Sequence, residues 1–349
     1  LGSMAVIPLV AATLGLALLI VAAVLFANSR GFGYDFVAYD AAARRIAAGA
    51  PLYLADTAER YRQQLYDGLY LYPPQLAIAL VPLTVLSTFD ATVAWMVFRI
   101  GLLIAGCALM PVSRSARLLT FAVGCASLPV LFDLNLGNIS IVVLVLAALA
   151  WRMSDRPIGA VAHAALIAMR FPFGVFFITW IFQRRGRPIV WTIAAGIGLI
   201  LVSLPIVGVG QYMDYLTILR NLPDISTGPH NLSLKSTALE IGIPGDVAGL
   251  AVPLGYVAGA LAIVFAARRR DRDVAFVVSV VATLLLTPFI HPHYLVLMLF
   301  PTALLLDRGQ RWAIVLPLFA WLPGAVLPLL APIAIAALLV PARRPPPAS

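Results

Sequence analysis

Residues 4–27 form an apolar run with no charged side chain. An α-helix of about 20 apolar residues is long enough to cross the hydrocarbon core of a bilayer. Apolar runs recur to the end of the chain, in which 62% of the residues are hydrophobic and only 11% are charged. A soluble domain does not combine so little charge with so much apolar surface. The sequence therefore predicts a polytopic helical membrane protein, because a helix satisfies its own backbone hydrogen bonds inside lipid.

The hydrophobic pattern predicts an all-α transmembrane bundle of about 12 spans, forming one transmembrane domain over residues 1–349. Two segments are predicted as external loops, the first over residues 28–73 and the second over 209–247. The first loop contains two predicted juxtamembrane helices, at 36–48 and 57–65. Residues 74–88 are apolar but short, and we interpret them as re-entrant or interfacial. The predicted spans are roughly 4–27, 92–112, 117–132, 138–152, 157–168, 172–183, 188–208, 248–267, 274–290, 293–306, 311–322 and 325–340.

Basic residues gather on the loops that fall on one side of the membrane when these spans alternate. That side holds 15 of the 24 basic residues and only 4 of the 15 acidic residues. The positive-inside rule makes it cytoplasmic, which predicts an inner (plasma) membrane protein whose polar loops face the periplasm or the exterior. The same rule explains the net positive charge without a nucleic-acid partner. The basic residues on this side are Arg114, Arg117, Arg152, Arg156, Arg184, Arg185, Arg187, Arg268, Arg269, Arg270, Arg272, Arg308, Arg311, Arg343 and Arg344.

Five polar segments then fall on the opposite, outer face. Polar groups in or near a bilayer are costly and usually have a functional reason. Their convergence on one face predicts a site there. The segments are 28–73, 133–138, 169–174, 209–247 and 287–294.

Five motifs occur in order between residues 33 and 300. They are "YDFVAYDAAARRIAAGAPLY", "YPPQLAIALVPLTVL", "NLGNISIVVLVLAALA", "NLSLKS" and "TPFIHPHYLVLML". With the long first external loop, they resemble the GT-C class of glycosyltransferases, and within it glycosyltransferase family 87 of the polyprenyl-phosphate-mannose-dependent type. The chain departs from the family pattern at Asn138, where glutamine is more usual, and at Arg170, where lysine is expected. The last motif also lacks the family's tryptophan.

This resemblance implies a GT-C-like fold and transfer of a sugar from a polyprenyl-phosphate donor to a hydroxyl of a glycolipid or glycan acceptor on the outer face. The first choice of donor sugar is mannose, and arabinose or a hexose other than mannose are the alternatives. The reaction needs a general base for the acceptor hydroxyl and cationic stabilisation of the departing phosphate. No Asp-x-Asp pair or metal-ligand cluster is visible in the outer segments, so neither a metal nor another cofactor is predicted. Membrane lipids are the remaining expected partners.

Asp35 matches the aspartate of the first family motif, so the resemblance predicts that it is the general base. Tyr39 is the tyrosine of the same Asp-x-x-x-Tyr pattern and is a candidate substrate contact. The alternative for Asp35 is an N-cap of helix 36–48, and the two roles are compatible. Asp40 is expected instead to form an ion pair with Arg44 at i+4.

The donor phosphate has several candidate ligands. His291 and His293 flank Pro292 at a predicted helix start, where they would bind phosphate or orient the acceptor, or be polar interface residues. Arg170 interrupts an apolar stretch, where an unpaired arginine costs about 2.5–3.5 kcal/mol, so it needs Asp133 or a lipid phosphate as partner. Lys235 is a weaker candidate that is equally explained as a solvated loop residue.

The remaining candidates have structural alternatives. Asn138, Asn231 and Ser233 are predicted to bind substrate, although the last two would equally hold the second loop. Tyr72, before two prolines, is predicted to shape the floor of the site. Arg99 is expected to pair with Asp90 or a backbone carbonyl.

A polyprenyl-lipid transporter or flippase without chemistry is the alternative function. It should show paired broken helices in an internal repeat, and the sequence shows no such halves.

Overall fold

The computed structural model describes residues 3–63, 65, 68–221, 231–269, 271–287, 289–322 and 324–340. All regular secondary structure in these ranges is helical, as the hydrophobic pattern predicted. Four residues used in the sequence argument lie outside the described ranges: Arg270, Arg343 and Arg344 of the basic loops, and Pro288 of the last motif.

The α-helices are α1 Ser3–Ala27, α2 Tyr34–Ala47, α3 Thr57–Arg62, α4 Pro74–Leu80, α5 Thr88–Leu109, α6 Arg114–Ala126, α7 Leu128–Leu136, α8 Ser140–Arg152, α9 Pro157–Met169, α10 Phe176–Phe182, α11 Gly186–Asn221, α12 Leu234–Glu240, α13 Gly245–Gly249, α14 Ala251–Arg268, α15 Arg272–Leu285, α16 Leu299–Asp307, α17 Val315–Leu318 and α18 Leu330–Leu339. The 3₁₀ helices are Val81–Val85, Phe171–Val175, Pro292–Met298, Arg311–Ile314, Phe319–Trp321 and Gly324–Leu329.

Within the described residues, four helices are long and apolar enough to cross a membrane: Val6–Ala27, Thr88–Leu109, Gly186–Asn221 and Gly245–Arg268. The pair α6 and α7, bent by 62°, would make a fifth. The structure therefore supports a membrane protein but does not confirm 12 spans. Other apolar helices have only 10–17 residues. One reason is proline at the first turn of α7, of α9 and of the 3₁₀ helix Phe171–Val175, because proline starts helices well but interrupts their interior.

The bundle places α1 along α6, α5 along α8, and α8 along α9. Helix α15 is buried over nearly its whole length. In the most apolar stretch of α11, by contrast, only 6% of the residues are buried. An apolar helix with an exposed surface suits a lipid-facing position. Helices α2 and α4 pack against each other beside α5 and α11, so the first loop lies against the bundle.

The second predicted external loop, 209–247, differs most from the structure. Its first part, residues 209–221, continues α11 beyond a kink at Gly208, whose φ of +77° lies in the left-handed region. Two further short helices, α12 and α13, occupy much of the rest, and residues 222–230 lie outside the described ranges. The sequence analysis ended the predicted span at Gly208, whereas the helix continues beyond it in the structure.

The second half of α11 holds the first loop in place. The Gln211 side-chain oxygen accepts a hydrogen bond from the backbone of Leu52 at 2.7 Å. The rings of Tyr53 and Tyr215 stack with centroids 5.7 Å apart. Gln75 donates to the Tyr212 hydroxyl at 2.6 Å. These contacts tie the loop to protein as well as to any lipid surface.

Candidate functional site

The start of α2 lies against the junction of α7 and α8 because two glycines allow a close approach. The Gly33 amide donates to the Asn135 carbonyl at 2.7 Å. Gly137 ends α7 with φ +79°, and a Cβ there would lie 2.6 Å from the Cβ of Phe36. The indole of Trp95 stacks on Phe36 and donates to the Gly137 carbonyl at 2.9 Å. This packing brings residues about 100 positions apart into contact.

Asp35 lies in the first turn of α2, where a carboxylate interacts favourably with the helix dipole. The N-cap position belongs to Gly33, so the alternative in which Asp35 caps this helix is wrong. The Asn138 side-chain amide donates to Asp35 Oδ2 at 2.8 Å. Burial raises the pKa of the Asp35 carboxyl, while the hydrogen bond from Asn138 and the charge of Arg99 oppose that rise. Asp35 is half-buried as a residue, and its carboxyl combines this position with a raised pKa.

Tyrosines form one wall beside Asp35. The Tyr39 hydroxyl accepts from the Asn138 amide at 3.4 Å, and its ring meets Tyr72 edge to face at 5.3 Å. The Tyr53 hydroxyl donates to the Tyr72 carbonyl at 2.8 Å, and the Tyr70 hydroxyl donates to the Pro73 carbonyl at 2.7 Å. Burial raises the pKa of Tyr39 and of Tyr72, so these phenols stay neutral.

Arg170 lies between α9 and the 3₁₀ helix Phe171–Val175, on the other side of Asn138. Its Nη2 donates to Ser140 Oγ at 2.7 Å, and its Cζ lies 3.5 Å from the centroid of the Tyr294 ring. Its Nε is buried and has no hydrogen-bond partner. The described residues contain no carboxylate in salt-bridge contact with this guanidinium. Arg170 is therefore a cation with at least one unused hydrogen-bond donor, its Nε.

Asp133, which the sequence analysis considered as a partner of Arg170, pairs with Arg99 instead. Asp133 Oδ2 accepts from Arg99 Nη1 at 3.0 Å, and both side chains are 0% exposed. Arg99 also donates to the carbonyls of Asp133, Leu134 and Asn138 at 2.6, 3.0 and 3.2 Å. The predicted carbonyl partner of Arg99 is confirmed, but the Asp90 alternative is wrong, because Asp90 bonds to the helix-capping Ser87. Asp133 is buried beside Arg99, whereas Asp90 is exposed at the first turn of α5.

The two histidines complete the wall beside Arg170. Their rings stack with centroids 5.6 Å apart, and His293 lies 4.9 Å from Tyr294 and 6.2 Å from Phe132. His293 is 4% exposed, and its Nδ1 is buried without a hydrogen-bond partner. The predicted helix start after His291 is a 3₁₀ helix that continues into α16. An imidazole and a guanidinium, each with an unpartnered nitrogen, thus border the same tyrosine.

A comparison with protein families decides the class of this chain. Residues 70–288 match the model of glycosyltransferase family 87. The chain belongs to glycosyltransferase family 87. No curated protein and no solved structure matches it.

Membership of family 87 makes this chain a membrane glycosyltransferase, and the resemblance seen in the sequence is confirmed at that level. The matched range includes Asn138, Ser140 and Arg170 but ends before the histidines and begins after Asp35. The roles of Asp35, His291 and His293 therefore rest on geometry and motif likeness.

Three candidates of the family 87 chain lie on the second predicted loop. Asn231 Oδ1 accepts from the backbone amides of Ser233 and Ile290 at 2.9 and 2.8 Å, so it fastens the second loop to the histidine segment. Ser233 caps α12. Lys235 borders an open cleft whose other walls are mostly apolar. The structural alternative is observed for Asn231 and Ser233, and substrate contact by any of the three stays a prediction.

Asp40 has the role expected of it. It pairs with Arg44 at 2.8 Å and also accepts from the Thr88 hydroxyl at 2.9 Å. In the described part of the chain, no three side chains of His, Cys, Asp or Glu come together as a metal site would require.

Sequence reasoning missed Ser140 as a member of the site. Its hydroxyl lies between Arg170 and Asn138, at 2.7 and 3.2 Å. The signal was present, because Ser140 is the last residue of the Gly-Asn-Ile-Ser motif. Within that motif only Asn138 was assigned a substrate contact.

Proposed function

We propose that this family 87 glycosyltransferase moves mannose from a polyprenyl-phosphate donor to a hydroxyl of a glycolipid or glycan on the outer face of the plasma membrane. Asp35 is the general base in this proposal. The observation that carries it is the arrangement of Asp35 and Arg170 on either side of Asn138. A general base and a cation without a carboxylate partner, separated by two polar side chains, suit the transfer of a sugar from a phosphate to a hydroxyl.

The proposed reaction is one displacement at the anomeric carbon. The acceptor oxygen forms the new bond to that carbon as the bond to the donor phosphate oxygen breaks. The acceptor proton passes to a carboxylate oxygen of Asp35. The polyprenyl phosphate leaves with one additional negative charge. A raised pKa makes Asp35 a stronger base than an ordinary aspartate, and its burial supplies that rise.

Arg170 is the proposed ligand of the donor phosphate. Its Nε is unpartnered, and Asp133 is committed to Arg99. Arg170 is half-buried, and among the described residues no carboxylate is in salt-bridge contact with its guanidinium, which favours a ligand that supplies the opposite charge. Phosphate suits the planar donor fork of arginine. The unpartnered Nδ1 of His293 supports a second contact at the same phosphate or at the acceptor.

The test is turnover in proteoliposomes with radiolabelled polyprenyl-phosphate mannose and a membrane glycolipid extract. We expect label in a new glycan or glycolipid with the wild-type protein. Asp35→Asn should retain donor binding and lose turnover, since the asparagine cannot accept the proton. Asp40→Asn is the matched control on the same helix, because it removes a buried carboxylate that already has a cation. Wild-type turnover in Asp35→Asn would remove Asp35 as the base.

The same proteoliposomes separate transfer from transport. A flippase would move the lipid between leaflets with its sugar–phosphate bond intact, and transfer consumes the donor. Donor that changes leaflet without being consumed would overturn the proposal. Labelling of cysteines introduced near residues 35 and 292 tests the outer location, and opposite leaflets for the two sites would contradict it.

A further inference from the structure

We propose that Ser140 is a positioning residue, which joins the phosphate-binding arginine to the general base through Asn138. This inference rests on the proposed function, because it assigns Ser140 a role between Arg170 and Asp35. Ser140 touches neither the donor nor the acceptor in this proposal. It acts by holding the two groups that do.

The three hydrogen bonds between Arg170 and Asp35 run in one direction. Arg170 Nη2 donates to Ser140 Oγ at 2.7 Å, Ser140 Oγ donates to Asn138 Oδ1 at 3.2 Å, and Asn138 Nδ2 donates to Asp35 Oδ2 at 2.8 Å. A guanidinium only donates and a carboxylate only accepts. The charges at the two ends therefore fix the orientation of the serine hydroxyl and of the asparagine amide between them.

We call the series Arg170–Ser140–Asn138–Asp35 the relay. Its member Ser140 is held by a further hydrogen bond. The Ser140 amide donates to Asp133 Oδ1 at 2.9 Å, and Asp133 is held by the buried Arg99. Ser140 is 1% exposed and Asn138 is 4% exposed. Hydrogen bonds in a dry interior are stronger and orient one another. The relay is thus a rigid connection.

Loss of the Ser140 hydroxyl removes one acceptor from Arg170 and one donor from Asn138. The asparagine amide then keeps only its contacts with Asp35 and Tyr39. Its orientation is less fixed, so its hydrogen bond to Asp35, which favours the charged form of that carboxyl, weakens. The other titratable and charged groups around these hydrogen bonds stay in place: Tyr39 on α2, Tyr72 on the first loop, Arg99 on α5 and Tyr294 on the 3₁₀ helix beside Asp35, and Asp133 on α7 and Arg170 after α9 beside Ser140. The tyrosines do not titrate near neutral pH.

The experiment compares Ser140→Ala with Ser279→Ala, another buried serine, which bonds to Thr179 outside the site. We expect Ser140→Ala to lower kcat about 10-fold with a small change in KM, and to move the acidic limb of the pH–rate profile up by about one unit, as loss of a hydrogen bond to a charged group would. Ser279→Ala should change neither. Ser140→Thr, which keeps the hydroxyl, should restore the wild-type profile.

Asn138→Ala interrupts the same relay at its next member, so it keeps the test valid if Ser140→Ala does not fold. It should move the limb in the same direction, and the double variant should add nothing, because both changes break one connection. Additive shifts, or an unchanged limb in Ser140→Ala, would overturn the relay.

A measurement without turnover separates this inference from the proposed function. Infrared titration follows the protonation of the carboxyl whose band disappears in Asp35→Asn. If the protein transfers no mannose but the midpoint of that band rises in Ser140→Ala relative to Ser279→Ala, the proposed reaction fails and the relay stands. If the protein transfers mannose and the midpoints coincide, the reaction stands and the relay is wrong.

Discussion

Gly137→Ala tests the packing that brings Asp35 to Asn138. Gly137 has a φ of +79°, and an added Cβ would lie 2.6 Å from Phe36 Cβ and 3.1 Å from the Phe36 amide nitrogen. Phe36 is fully buried and stacked on Trp95, so its Cβ moves only if the backbone of α2 moves. The substitution therefore displaces the helix that carries Asp35.

The stability cost has two parts. A left-handed conformation costs a non-glycine residue about 1–2 kcal/mol. Overpacking a buried contact adds about 1–3 kcal/mol. We expect Gly137→Ala to lower the free energy of unfolding by about 2–5 kcal/mol in total. Gly49→Ala is the matched control, because Gly49 has a φ of +67° and no atom within 4 Å of its added Cβ. It should lose only the first part.

Thermal unfolding of the two variants in the same detergent measures this difference, and donor turnover measures its effect on the site. Gly137→Ala should melt well below Gly49→Ala. It should also lose turnover in the surviving folded fraction, because its clash opens the 2.8 Å contact between Asp35 and Asn138. Equal melting temperatures for the two variants would refute the steric argument. Full turnover in folded Gly137→Ala would refute its link to the site.

Three other substitutions or conditions have defined outcomes. Arg99→Met leaves the Asp133 carboxylate buried and unpaired, so it should cost about 3–5 kcal/mol in denaturation experiments, whereas Arg272→Met, in an exposed pair, should cost less than about 1 kcal/mol. Turnover should fall on acidification at a pH above the usual pKa of an aspartate, because burial raises the pKa of Asp35 and the base works only when deprotonated. A pH–rate profile flat to below pH about 4 would contradict this. Arg170→Lys should weaken binding of polyprenyl phosphate about 10-fold or more through loss of the guanidinium fork, and unchanged affinity would contradict the assignment.

The sequence predicted local structure well where local chemistry determines it. Helix α2 spans Tyr34–Ala47, close to the expected 36–48, because its apolar spacing and Gly49 mark its ends. The i+4 pair of Asp40 and Arg44 followed from the helix alone. The continuation of α11 through Gly208 was not predictable in this way, because contacts of residues 209–221 with the first loop stabilise it.

The site itself depends on contacts that no local pattern contains. The alternation of spans and the positive-inside rule indicated that Asp35 and Asn138 belong to one face, but their contact joins positions 103 apart and requires the close approach at Gly137. The choice of Arg99 over Arg170 as the partner of Asp133 is likewise a matter of three-dimensional packing. The sequence offered Asp133 to Arg170 because both interrupt apolar segments. Only the structure reveals that Arg99 pairs with this carboxylate, whereas Arg170 has no carboxylate in salt-bridge contact among the described residues.

Charge conservation in the proposed reaction gives a final prediction. As the acceptor proton neutralises Asp35, the departing phosphate gains one negative charge, so one unit of charge moves from the carboxylate towards Arg170. The product polyprenyl phosphate then faces a neutral Asp35, and it is repelled once that proton is lost. Asp35→Asn has no such charge at any pH. It should therefore bind polyprenyl phosphate more tightly than the wild-type protein at neutral pH, and the difference should shrink as acid protonates Asp35. Calorimetric titration with polyprenyl phosphate measures both affinities. Weaker binding by Asp35→Asn, or a pH-independent difference, would mean that the carboxylate and the phosphate do not share one site.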